Sequence, residues 1–140
     1  MFDANKSAHR TADAACWPAL WIRAAMRTAI LQTVEHEPLH GYGIALALEA
    51  DGFGRPKGGS LYPILDELTE GGWLTSQWEE ASSGPGRKVY ALTDAGQSRL
   101  RGEREQWNAL AVALHAAPAA EKAPETARKD QASWLAAINH

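Results

Sequence analysis

The chain of 140 residues has room for one domain with shorter flanking segments, and its hydrophobic content of 45% is enough for a packed core. A formal net charge of -3 argues against a surface that is basic throughout, as in many nucleic-acid-binding proteins. The single cysteine, Cys16, excludes an intrachain disulfide and suits a reducing compartment. Because no apolar stretch resembles a membrane span or a signal peptide, we expect a cytoplasmic protein without a membrane partner.

The N-terminal third predicts a tail followed by two helices. Residues 1–16 are polar and alanine-rich without a periodic apolar face, which is typical of a mobile tail. Pro18 suits the first turn of a helix, and Pro38 ends that helix because the residue before a proline avoids the helical conformation. A second helix is expected over residues 41–50. The expected apolar face of the first helix contains Leu20, Trp21, Ala24, Ala25, Thr28, Leu31 and Val34.

The third helix has the clearest pattern in the chain. Leu61, Ile64, Leu65 and Leu68 follow the i, i+3, i+4, i+7 spacing of a buried stripe. Because proline is tolerated only in the first turn of a helix, Pro63 requires a start near Gly59 or Ser60. The glycine pair at residues 71–72 then ends the helix.

A hairpin and a long helix follow. Residues 73–80 and 87–92 predict two strands around a turn at 82–86, with Leu74, Tyr90 and Leu92 in the core. Thr93 caps the fourth helix, and Asp94 complements its dipole. Apolar side chains close to a heptad pattern form a seam with no obvious partner in so small a chain, which predicts a homodimer. The seam residues are Leu100, Trp107, Leu110, Ala111 and Leu114.

Helix, helix and hairpin in this order predict a winged helix-turn-helix, in which the third helix recognises DNA and the hairpin forms the wing. The expected fold class is mostly α with a small β-hairpin and a C-terminal dimerisation helix. The expected boundaries are a tail at 1–16, the winged helix-turn-helix at 17–92, the dimerisation helix at 93–116, a linker at 117–129 and a short helix at 130–140.

Charge is segregated along the sequence, which the net charge conceals. Arg55 and Lys57 precede the third helix, and Arg87 and Lys88 occupy the glycine-rich hairpin. These cations are expected to reach DNA phosphates or the minor groove, whereas the acidic residues are expected on the far side. The acidic residues concerned are Asp66, Glu67, Glu70, Glu79 and Glu80.

Four motifs resemble the PadR family of transcriptional regulators over residues 29–114. They are EPLHGY at residues 37–42, GSLYP at 59–63, LTEGGWL at 68–74 and GRKVYALT at 86–93. The resemblance implies a dimer of the type with a short C-terminal helix, which binds a palindromic operator in double-stranded DNA. It further implies a repressor, without cofactor or metal, that a small aromatic or drug-like effector releases. Members commonly have serine where Lys57 stands and basic residues at the positions of Asp66 and Glu67.

The same resemblance favours roles for individual residues. Ser60 and Tyr62 are expected to contact bases or phosphates from the tip of the recognition helix. For Tyr42, packing under the second helix and contact with phosphate remain equally open. Trp107 either packs the dimer seam or lines a flat pocket between subunits. The resulting candidates for DNA binding are Tyr42, Arg55, Lys57, Ser60, Tyr62, Arg87 and Lys88.

Two other functions compete with DNA-dependent regulation. His36, Glu37 and His40 match the H-E-x-x-H signature of zinc metalloproteases. That chemistry needs both histidines on one face of a continuous helix, which Pro38 disfavours, so we expect no enzyme. The second alternative is a winged helix that contacts only proteins, which DNA titration distinguishes from a regulator.

Overall fold

The computed structural model describes residues 14–116 and 125–138. Its helices are α1 (Ala19–Thr33), α2 (Gly41–Ala50), α3 (Gly58–Glu70), α4 (Asp94–Leu114) and α5 (Glu125–Ile138). Three short strands, β1 (Leu39–His40), β2 (Leu74–Glu79) and β3 (Arg87–Leu92), form an antiparallel sheet in the order β1-β3-β2. The mostly helical winged helix-turn-helix predicted from the sequence is confirmed.

The chain divides within α4 into two compact units, which meet between Glu105 and Gln106. The first unit contains a core to which α1, α2, α3, the sheet and the start of α4 contribute. No polar or charged side chain is buried among the described residues of this core. The fully buried large side chains are Ile30, Leu31, Ile44, Leu48, Leu65, Leu68, Leu74, Tyr90 and Leu100.

The pattern of the third helix is confirmed, since Leu61, Leu65 and Leu68 are buried and Ile64 packs partly buried against the core. For α1 the expected face was wrong in its N-terminal half. Leu20 and Trp21 are 71% and 65% exposed, whereas the buried residues lie further along, from Met26 onward. The buried face contains the larger side chains Met26 and Ile30 because alanines cannot fill the space beside α2.

Three expectations about element boundaries need correction. Cys16 donates its backbone N–H to the carbonyl of Gly52 at 2.8 Å, so residues 14–16 are attached to the domain rather than part of a tail. Helix α5 begins at Glu125 instead of residue 130, which shortens the predicted linker. The strand β1 was not expected, because only its pairing with Val89 and Tyr90 defines it. Residues 1–13, 117–124 and 139–140 of the predicted tail, linker and end lie outside the described part.

Polar side chains join the helices of the first unit. Arg27 on α1 binds Glu67 on α3, with Nη2 and Oε1 2.9 Å apart. Arg104 on α4 binds Glu35 after α1 at 2.6 Å, and this hydrogen-bonded guanidinium lowers the pKa of the Glu35 carboxyl. Thr28 on α1 also donates a hydrogen bond to Glu103. These contacts connect α1 to both α3 and α4.

Thr93 connects the recognition helix, the sheet and α4. Its backbone N–H donates to the carbonyl of Trp73 at 3.2 Å, and its hydroxyl donates to the carbonyl of Gly72 at 2.6 Å. The same hydroxyl accepts the N–H of Gly96 at 3.0 Å, which confirms the predicted N-cap. Gly96 has no side chain where the Trp73 carbonyl passes, so α4 approaches the strand closely.

Candidate nucleic-acid interface

The N-terminus of the recognition helix α3 is exposed and carries no acidic residue in its first turn. Lys57 occupies the N-cap position in an extended conformation, and no described side chain caps the helix. Lys57 and Ser60 are both exposed. Because the first backbone N–H groups of a helix carry partial positive charge, this end attracts anions together with the lysine.

Tyr62 lies one turn into α3 and is 47% exposed. Its ring packs beside two glycines of neighbouring segments, since an added Cβ at Gly41 would lie 2.7 Å from the Tyr62 hydroxyl oxygen. An added Cβ at Gly58 would lie 3.4 Å from the other edge of the ring. The glycines therefore define the direction of the Tyr62 side chain, which runs toward the start of α2.

The first turn of α2 forms the neighbouring wall. His40 is its N-cap, and the Nδ1 atom of its ring accepts the N–H of Gly43 at 3.1 Å. Tyr42, in the same turn, is exposed, so it does not pack under the helix. The exposed ring is compatible with a contact to a bound molecule.

The wing is the hairpin of β2 and β3. Cross-strand pairs place Trp78 opposite Lys88 and Glu79 opposite Arg87. Both cationic side chains are exposed, and the Trp78 indole covers Gly86, where a side chain would collide with it. Gly84 has φ +94°, a conformation that glycine adopts without strain, so the turn between the strands is tight.

A groove of about 510 Å³ runs between α3, the first turn of α2 and the wing. Its floor includes Tyr90, which is only 2% exposed. Burial, and then the nearby Asp66 carboxylate and Tyr62, raise the pKa of the Tyr90 hydroxyl, which therefore remains protonated at neutral pH. The lining residues are His40, Gly41, Tyr42, Tyr62, Asp66, Trp78, Gly86, Arg87, Lys88 and Tyr90.

A family model described as the transcriptional regulator PadR-like family matches residues 30–102, just over half of the chain. The chain belongs to the PadR-like family. Over 83 residues it is 36% identical to the transcriptional regulator YqjI of Escherichia coli strain K12, a match that covers 58% of this chain and 38% of that protein. The chain thus spans well under half the length of the curated relatives it matches.

Solved structures of PadR-like regulators have the same fold. The one from Eggerthella lenta is 29% identical, with a TM-score of 0.62, and the alignment covers 69% of this chain and 83% of the other. The PadR-like transcription factor from Bacteroides fragilis is 27% identical, with a TM-score of 0.61 and coverage of 69% and 93%. Bacillus subtilis PadR, solved in complex with operator DNA, is 29% identical, with a TM-score of 0.52 and coverage of 56% and 45%.

In this PadR-like chain the acidic residues are not segregated as expected. Asp66 lines the groove together with Arg87 and Lys88, instead of lying on the far side. Arg55 is bound to Glu49, with Nε and Oε2 2.7 Å apart, so its charge is partly compensated. The reason is that helical periodicity places Asp66 one turn after Tyr62, on the same face of α3.

Structure also separates the residues of the predicted seam. Leu100 belongs to the core of the first unit, with 0% exposure, and is not available to a partner. Trp107, Leu110, Ala111 and Leu114 are exposed on the second half of α4. One prediction therefore covered two different environments on a single helix.

The zinc hydrolase alternative lacks its geometry. His36 lies in a bend after α1, and His40 belongs to β1, so no continuous helix presents the two rings on one face. His40 already accepts the N–H of Gly43. Among residues 14–116 and 125–138, no group of acidic, histidine and cysteine side chains is arranged to hold a metal ion, and no helix could cross a membrane. PadR-like proteins are transcriptional regulators and not enzymes.

Sequence reasoning missed four residues of the groove, namely Gly41, Asp66, Trp78 and Tyr90, as candidates for its function. A signal existed for Trp78, because a large aromatic residue precedes a polar turn at a position that faces away from the core. For Gly41 no local signal existed, since its importance depends on Tyr62, which is 21 positions later in the sequence.

Proposed function

We propose that this chain binds double-stranded DNA with sequence preference and regulates transcription. The observation that carries the proposal is the single exposed surface made by the start of α3, the tyrosines of the groove and the two wing cations. A recognition helix in the major groove and cations beside it supply the two parts of protein–DNA recognition, base contacts and phosphate contacts. The operator complex of the related Bacillus subtilis PadR supports this assignment.

Within this surface, Ser60 at the helix tip has a short polar group suited to base or phosphate contact. Lys57 and Arg87 act on phosphates as charges, and Lys88 does the same from the wing. Arg55 contributes less than these residues because Glu49 binds it. Tyr42 contacts the backbone from the first turn of α2.

The functional unit in this proposal is a homodimer formed through α4. The helix has 21 residues and is therefore about 30 Å long, but its only buried residues are Gly96 and Leu100, near its start. The exposed apolar residues Leu110 and Leu114 would be covered in a pair of such helices. Two-fold symmetry then gives two recognition helices, which suits a palindromic operator.

The regulator acts as a repressor that a small aromatic effector releases. An effector can lower DNA affinity only by binding more tightly to the arrangement in which the two recognition helices do not fit the operator. Trp107 at the proposed seam supplies a flat ring for such a molecule, and its partner copy would lie close to the two-fold axis.

The wing provides the direct test of DNA binding. Duplexes selected from a random-sequence pool by the wild-type chain are titrated between 50 and 200 mM salt. We expect the Arg87→Ala/Lys88→Ala variant to lose affinity for all sequences, because it lacks two phosphate contacts. The slope of log K against log salt should fall by about 2.

A matched control removes the same charge elsewhere. Arg23→Ala/Arg101→Ala changes two exposed arginines outside the groove and should bind DNA nearly as the wild type does. Equal affinities of the wing variant and this control would remove the wing from the mechanism. Absence of duplex binding by the wild type even at 50 mM salt would instead favour the protein-contact alternative.

A further inference from the structure

The chain contains three tyrosines, Tyr42, Tyr62 and Tyr90, and all three line the groove between α2, α3 and the wing. They belong to three different elements, so no local sequence repeat explains their meeting. Arg87 and Lys88 line the same groove from the wing. Phenolic hydroxyls and cationic side chains share one property, which is that they donate hydrogen bonds to anionic oxygens.

Tyr62 is directed along this groove and not outward from the tip of the recognition helix. The position of Gly41 shows this, since a Cβ added there would lie 2.7 Å from the hydroxyl oxygen and 2.8 Å from the ring. The hydroxyl is therefore located at the start of α2. His40 already occupies the N–H of Gly43 in this turn, and the remaining partial positive charge of the helix end faces the groove.

Tyr90 supplies an independent observation at the floor of the groove. The residue is 2% exposed and lines the groove, yet its hydroxyl makes no hydrogen bond with any residue in the described part of the chain. A nearly buried hydroxyl without a partner is costly, which is relieved when a bound group accepts its proton. Because its pKa is raised, this hydroxyl is a donor and not a phenolate.

Asp66 is the exception among these groups. Its carboxylate lines the same groove and has the charge of the anion that the other side chains attract. Its neighbour Glu67 is different, because Arg27 binds it and compensates its charge. A carboxylate beside an anion site weakens binding through Coulomb repulsion.

We propose that the groove holds one backbone phosphate of the bound DNA, to which the Tyr62 and Tyr90 hydroxyls donate, and that Asp66 reduces the affinity of this site. The inference rests on the proposed function and makes it more specific. Tyr62 is then a phosphate-binding residue and contributes equally to all DNA sequences, while base reading belongs to other residues of α3.

The test combines a protein variant with a chemical change in the DNA. Tyr62→Phe removes only the hydroxyl and keeps the ring between Gly41 and Gly58. A set of selected duplexes carries a neutral methylphosphonate at one backbone position each. For the wild type, one position in each half-site should lower the affinity roughly tenfold or more, as expected for a hydrogen bond to a charged group.

In Tyr62→Phe the same methylphosphonate should have an effect of less than about threefold, because the contact is already lost. Affinity for unmodified duplexes should fall by the same factor for selected and random sequences. Loss confined to selected sequences, or equal sensitivity of both proteins at every phosphate, would overturn the proposal. Absence of duplex binding by the wild type would overturn the proposed function itself, so the two failures are distinguishable.

Asp66→Asn provides the second arm. Loss of the carboxylate charge should raise the affinity for all duplexes by roughly threefold to tenfold. Glu70→Gln is the matched control, since it removes one negative charge from the exposed end of the same helix outside the groove. Equal effects of the two variants would show that only net charge matters and would contradict the role given to Asp66.

Discussion

The two halves of α4 differ more than any two helices of the molecule. Leu100, in the first half, is 0% exposed within the core of the first unit, whereas Leu110 and Leu114, in the second half, are 48% and 77% exposed. The helix α5 of the second unit likewise exposes Trp134, Leu135 and Ile138. The first unit thus completes its own core, and the second has apolar surface that only further association can bury.

This contrast separates stability from assembly. The first unit should fold without a second copy, because its buried residues all contact one another within one chain. The second half of α4 should gain its stability from a partner, in line with the general rule that helices depend on packing of their apolar face.

The largest expected effect is on the core of the first unit. Leu65→Ala, on the recognition helix, should lower the free energy of unfolding by about 2–5 kcal/mol, because it leaves a cavity among fully buried side chains. Denaturant titration measures this change. Leu46→Ala on α2 is the control, since the residue is partly exposed and its loss should cost about 1 kcal/mol or less. Similar costs for both variants would contradict a core centred on α3.

A smaller effect is expected on assembly. Leu110→Asp places a charge on the exposed apolar face of α4 and should raise the dissociation constant of the dimer roughly tenfold or more. Sedimentation velocity measures the dissociation constant, and circular dichroism should show an unchanged first unit. Asn108→Asp introduces the same charge on the neighbouring face of the same helix and should leave the dimer intact. A wild-type chain that sediments as a stable monomer would refute the assignment of α4 to dimerisation.

The smallest effect concerns Trp107 and asks whether the second region binds a ligand as well as a partner. Planar phenolic compounds should quench tryptophan fluorescence and lower DNA affinity. Trp107→Phe should reduce their affinity by roughly two- to tenfold, the factor expected for loss of one stacking pair. Because the chain has six tryptophans, Trp134→Phe is the control for quenching elsewhere. An effector response that is unchanged in Trp107→Phe would show that this ring only packs the interface.

Local sequence signals were sufficient for most of the fold. Residues 41–50 were correctly predicted as a helix, and the Thr93 cap was confirmed by its hydrogen bond to Gly96. Both depend on neighbours within four positions, which periodicity and capping rules describe well. The exposed N-terminal half of α1 and the strand β1 were not predicted, since contacts with segments distant in sequence determine both.

The candidate site was predictable in its elements but not in its internal geometry. The motifs at residues 59–63 and 86–93 indicated the recognition helix and the wing. No pattern in one segment, however, indicates that Tyr62 packs on Gly41, that Asp66 faces the wing, or that Glu49 binds Arg55. Such pairs follow from how the elements cross, which local sequence does not encode.

Thr93 turns the junction between recognition and assembly into a short mechanical hinge. Its hydroxyl bonds to Gly72 just after α3 and to Gly96 in α4, so the end of one helix and the beginning of the other share a single side chain. Helix α4 is about 30 Å long and acts on this point as a lever. A tilt of a few degrees at its far end is therefore passed to the end of the recognition helix through two hydrogen bonds, without repacking the core.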